Sequence, residues 1–210
     1  MINNNNFKNF QPKYNAGERM TLPAGVYEGH IINSRIDVTE AGETLLVQVD
    51  IDKGEFAGFY RKQFEAQNKQ GSQYNIRYRG VYRVQLPDGR NPEHDNWRQH
   101  QLAGLAWALE DGNPGYKWDW DENKLKGLKC GLNVRERDYY VNKKFGTTTE
   151  IGRIESIKAV NDPDPAKRPK AMKKRELSHN DKVKLEQDQV GADMTAAGYT
   201  EVNDDEQLPF

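Results

Sequence analysis

Five β-rich segments separated by turn residues, one helical segment set before the last two of them, and a shift of composition at both ends predict an all-β core with a helical insertion. The expected fold is a five-stranded antiparallel barrel of the OB type with disordered N- and C-terminal tails. On this reading residues 1–20 are a flexible arm, 21–162 the domain, 163–203 a basic Pro/Lys segment running into a flexible acidic tail, and 204–210 a partner-binding tip.

Residues 1–20 are rich in Asn and lack repeated large aliphatics, so the domain begins at Leu22-Pro23-Ala24-Gly25. Segment 26–38 is rich in β-formers and meets a polar, Gly-bearing turn at 39–43. Leu45, Val47, Val49 and Ile51 then alternate as in a half-buried strand, which completes a hairpin. A turn at 52–55 leads into 56–64, expected to be the third strand of the meander. The interval 66–89 has no secure assignment. As a strand, it would place Tyr74, Tyr78 and Tyr82 on one face and Arg77, Arg79 and Arg83 on the other.

A helix near 93–109 follows, with Trp97, Leu102, Leu105 and Leu109 forming much of one face and Gly112-Asn113-Pro114-Gly115 stopping it. Segments 125–140 and 147–160 supply the last two strands around a turn at 142–146. Pro163, Pro165 and Pro169, interspersed with Lys167, Arg168, Lys170, Lys173, Lys174 and Arg175, read as an extended basic exit.

The formal charge of -1 conceals an asymmetry: 53–90 carries eight Lys or Arg against three acids, 124–175 fifteen against six, and 176–210 two against nine. Such a body attracts an anionic polymer, and the acidic end either competes for the same surface or limits indiscriminate binding.

Several classes of chemistry lack their signatures. Cys130 is the only cysteine, which rules out an intrachain disulfide and suits a small apolar filler. His30, His94, His100 and His179 show no metal-ligand spacing, and there is no phosphate loop, dinucleotide fingerprint or nucleophile elbow. No catalytic residue, metal or cofactor is therefore expected. No apolar run has membrane-spanning length and the N-terminus has no secretion signal, so the expectation is a soluble intracellular protein with no membrane partner. In Trp118-Asp119-Trp120-Asp121 the rings are expected to close the end of the core while the acids face water, a base or sugar pocket being the other reading.

Single-stranded nucleic acid is held by cations on phosphates and rings on unpaired bases. Phe56, Phe59 and Tyr60 beside Arg61 and Lys62 offer both, and Tyr74, Arg77, Tyr78, Arg79, Tyr82 and Arg83 repeat the mixture. Lys126, Lys129 and Arg135 add cations from the fourth strand region.

The C-terminus, Asp204-Asp205-Glu206-Gln207-Leu208-Pro209-Phe210, ends three acids in an apolar Leu-Pro-Phe. Joined to a basic β-rich body, it resembles the single-stranded-DNA-binding proteins of bacteria and bacteriophages. The segment from Asn113 to Asp121 and Leu125-Lys126-Gly127 is similar to small phage replication or recombination accessory proteins, a resemblance spanning about residues 22–175. It implies a sequence-independent single-stranded-DNA-binding protein that protects DNA and recruits replication or recombination proteins, in the cytoplasm of a bacterial host. The resemblance also implies that Phe210 inserts its ring into a partner pocket, Pro209 restricts the approach, Leu208 adds an apolar contact, and Asp204, Asp205 and Glu206 steer toward a basic rim. The 66–89 insertion and the helix depart from the compact bacterial pattern. Tetramer formation is therefore not implied, and self-association stays open. The alternatives are an interaction adaptor, an inhibitor of host DNA processing and, furthest back, a metal-dependent nuclease.

Overall fold

The strand-forming residues build one antiparallel sheet in a computed structural model that describes residues 21–40, 42–69 and 77–196. Its strands are β1 (Gly25–Thr39), β2 (Gly42–Ile51), β3 (Val81–Gln85), β4 (Lys129–Val141) and β5 (Lys144–Glu155), in the order β3-β2-β1-β4-β5. The alternation of Leu45, Val47, Val49 and Ile51 sends these side chains into the core, where they meet Ile31, Val84, Leu132, Val134 and Ile154. The β4–β5 hairpin turns on Asn142 and Lys143, both at positive φ (51° and 58°), the backbone of a two-residue turn matched to strand twist.

The barrel expectation is overturned. Among the described residues no ladder joins β3 to β5, the sheet stays open, and inserted helices make the architecture mixed α/β rather than an OB-type barrel. Closure needs strand stagger and tilt to bring the outer strands into register. Here β3 is five residues long and pairs with β2 alone, while helix α2 (Pro92–Gly112) lies against β3, β4 and β5.

The third expected strand, 56–64, is instead a turn followed by α1 (Phe59–Lys69). The carboxylate of Asp50, 1% exposed, accepts hydrogen bonds from the amides of Tyr60 (3.1 Å) and Arg61 (3.3 Å), satisfying donors in the first turn of the helix. The chain enters that turn through Gly58 at φ 70°. In 77–83 the tyrosines turn inward and the arginines outward, as alternation required, although the strand starts only at Val81.

In α2, Asn91 accepts from the amides of Glu93 (3.0 Å) and His94 (3.2 Å), Pro92 opens the first turn, and Asn113 caps the end. Leu105 and Leu109 enter the core, whereas Trp97 is 57% exposed and does not belong to the packed face. At roughly 100° per residue, Trp97 lies about 120° around the helix from the Leu102-Leu105-Leu109 stripe.

After the short α3 (Ile157–Val160), the basic segment runs back along β4 as a strap. Asn133, 2% exposed, donates to the Lys170 carbonyl (3.0 Å) and accepts from the Met172 amide (3.1 Å). Arg175 bonds through its amide to the Glu136 carbonyl (2.8 Å) and through its carbonyl to the Asp138 amide (2.9 Å). A further correction concerns the tail: residues His179–Ala196 form α4, and the Tyr140 hydroxyl donates to Asp188 (2.8 Å). The arm at 1–20 and the tip at 204–210 lie outside the described residues. Among those described, no helix is long and apolar enough to cross a membrane.

Candidate nucleic-acid interface

The aromatic residues expected to stack on bases build the core instead. Phe59, Tyr60 and Tyr82 are each 6% exposed, and Phe56 and Tyr78 are half-buried against the same cluster. Tyr27, Phe56, Phe59 and Tyr60 form an edge-to-face series with successive centroids 5.9, 6.2 and 5.3 Å apart, and the Tyr78 hydroxyl donates to the Val49 carbonyl (2.9 Å). Burial pushes the phenols of Tyr60, Tyr78 and Tyr82 up, so they stay neutral. Rings packed this way are largely taken up by the core, although edges of Phe59 and Tyr60 still line a second cleft near the first helix. Tyr74 lies outside the described residues.

The expected cations are mostly exposed but dispersed. Arg61 and Lys62 sit on α1, Arg77 and Arg79 precede β3, and Arg83 projects outward from it. Lys126 stands in the turn before β4, and Lys129 is tied to Asp52 (2.6 Å), whose other oxygen meets His30 (2.5 Å). Of the named cations, Arg135 alone lines the cleft described next.

That cleft, about 520 Å³, opens where α2 passes over the seam between the outer strands β3 and β5. Trp97 and Trp107 line it from the helix and are 57% and 60% exposed. Between them, Gly104 has no described atom within 4 Å of where a Cβ would stand, which leaves the helix surface open. Arg135 from β4 and Arg153 from β5 form the facing wall, and Met172 of the strap forms a rim. Gly152 makes this approach feasible, since a Cβ there would lie 2.7 Å from the Met172 sulfur and 3.1 Å from the Arg135 side chain. The indoles are ten positions apart, about 15 Å along the helix axis.

No protein-family model and no curated protein matches this chain.

The cleft is lined by two guanidiniums, Arg135 and Arg153, and one carboxylate, Glu155, and further cations stand beside it. Glu150 receives Arg135 (2.8 Å), Arg137 (3.4 Å) and Arg175 (3.5 Å), so one carboxylate faces three cations. Arg153 has no ion-pair partner among the described residues, and Lys170 and Lys173 are exposed on the strap beside Met172. Arg153 and the strap lysines thus lie near two exposed indoles, with Glu155 the acid among the lining residues. The larger cleft near α1, about 610 Å³, brings three of the expected residues, Phe59, Tyr60 and Arg79, together with Tyr139, Glu136 and the hydroxyls of Thr147, Thr148 and Thr149, one cation facing one acid.

Other candidate chemistry is structural. Burial raises the Cys130 thiol to about 12, so it stays protonated as core filler. Trp118 closes the core at 9% exposure with its indole donating to the Asp121 carbonyl (3.1 Å), but Trp120 stands 61% exposed at φ 69°, so only one of that pair is enclosed. Among the described residues no three His, Cys, Asp or Glu side chains are grouped to hold a metal ion.

Sequence reasoning missed Trp107, Arg153 and Met172, and placed Trp97 on the wrong face. The available signal was angular: both indoles lie away from the leucine stripe, Trp107 nearly opposite it at about 160°. Large rings on the solvent side of a helix otherwise expose apolar surface without return.

Proposed function

We propose that this chain binds single-stranded DNA without sequence preference through the α2 cleft, and that its acidic Leu-Pro-Phe end recruits replication or recombination proteins. The observation that carries the binding reading is the pair of exposed indoles, Trp97 and Trp107, beside Arg135, Arg153 and the strap cations Lys170, Lys173 and Arg175, which outnumber the nearby acids Glu150 and Glu155. Indole faces accept any unpaired base, and cations hold the backbone whatever its sequence. Duplex recognition by α2 is disfavoured, because its first turn exposes Glu93 and carries no cation for the phosphates flanking a groove. The recruitment reading rests on the chemistry of residues 204–210: acids steer toward a basic rim, and the ring of Phe210 leaves water in a partner pocket.

The test is a set of equilibrium binding curves for matched single-stranded DNA, duplex DNA and single-stranded RNA across salt. Tight binding to single-stranded DNA that weakens linearly on a log–log salt plot is expected, with the duplex far weaker. Undetectable binding at low salt by a folded sample would overturn the proposal and leave the adaptor reading.

A further inference from the structure

The outer half of β1 is an open sheet edge. Its pairing with β4 ends at His30↔Lys129, Ile31 is then bonded to Gly127 and Leu128, and Ser34 donates its hydroxyl to the Glu122 carbonyl (2.6 Å). Beyond Ser34 no described backbone group bonds to β1 from that side, while β2 continues to pair on the other through Thr39↔Gly42. The register shift between Ile31 and Asn33 is the bend at which β1 parts from β4.

The residues along this edge include no proline and no lysine, and their two charges are of opposite sign. Ile36 and Val38 are 38% and 71% exposed on one face, and Arg35 and Asp37 alternate with them on the other. Among the described residues neither Arg35 nor Asp37 has an ion-pair partner. Arg-Ile-Asp is complementary to itself when reversed. About a two-fold axis at Ile36, antiparallel pairing sets Ile36 against its own copy and Arg35 against the partner subunit's Asp37, and it repeats that ion pair on the other side of the axis. Parallel in-register pairing would instead set Arg35 on Arg35 and Asp37 on Asp37, a like-charge arrangement that disfavours it.

We infer that a second copy of this chain docks here, the two β1 edges joining antiparallel into one continuous sheet across the dimer. The inference stands apart from the nucleic-acid reading and is measured without nucleic acid.

The experiment is sedimentation equilibrium of the full chain over a wide concentration series, with circular dichroism to confirm folding. The expected result is a monomer–dimer equilibrium. Arg35→Asp and Asp37→Arg, each placing like charges opposite one another, should raise the dimer dissociation constant by at least about tenfold. The double variant Arg35→Asp/Asp37→Arg should return it to within a few-fold of the starting value. A chain that sediments as a monomer throughout, a dimer indifferent to either single substitution, or a double variant as weak as the singles would each overturn the inference.

Discussion

The rings of Phe56, Phe59, Tyr60, Tyr78 and Tyr82 and the rings of Trp97 and Trp107 are chemically alike, yet the first group packs into or against the core and the second faces solvent. What separates them is the element that carries them. Phe56, Phe59 and Tyr60 recur at three- and four-residue spacing along a turn and helix capped by buried Asp50, so they converge on one apolar cluster, and Phe64 one turn further meets Tyr78. Trp97 and Trp107 stand on a helix whose core face is already filled by Leu105 and Leu109, which leaves the indoles over the open seam of the sheet. A basic aromatic stretch is therefore a poor guide to a binding face until its periodicity has been assigned.

Substitutions should split along that line. Phe59→Ala, which empties a buried site, should lower unfolding free energy by about 3–5 kcal/mol in denaturant titrations while the folded fraction binds DNA as before. Trp97→Ala and Trp107→Ala should each leave the melting transition nearly unmoved and weaken single-stranded DNA binding by about 1–3 kcal/mol, read by fluorescence anisotropy. Loss of stability without loss of affinity at the indoles would reverse the comparison. Arg153→Ala, removing one phosphate contact, should weaken all single-stranded sequences alike and reduce the salt slope by about 0.7.

The smallest effect concerns the strap. Hydrogen bonds from Lys174 first, then from Thr147, hold the Asp138 carboxyl below its ordinary value of 3.8. A carboxylate lowered in the folded state stabilises it fully above that ordinary value, and the contribution disappears as pH falls through the lowered one. Amide exchange at Asp138 and Arg175 should thus be insensitive to protonation of Asp138 at neutral pH and rise in acid. Asp138→Asn should remove that acid response.

The hairpins β1–β2 and β4–β5 and the span of α2 were legible in the sequence, because strand alternation, turn residues and the Gly112-Asn113-Pro114-Gly115 stop are local signals. Whether β3 reaches β5 is a tertiary matter that no periodicity encodes. The same holds for the strap, whose position depends on one buried amide, Asn133, that reads in sequence as an ordinary polar interruption of β4. Segment 56–64 went astray because aromatic residues favour strands, although their spacing fits a helix equally well. Of the candidate site, Arg135 was legible by charge, while Trp97 needed the helical angle rather than its proximity to leucines.

The central claim, that Trp97 and Trp107 are the base-stacking surface, is tested most directly by tryptophan fluorescence of the full chain titrated with an oligothymidylate at low salt. The account predicts saturable quenching that is lost in Trp97→Phe/Trp107→Phe, although Trp118 and Trp120 remain to report. Quenching of the same amplitude in that double variant, or none in the unaltered chain, would contradict it.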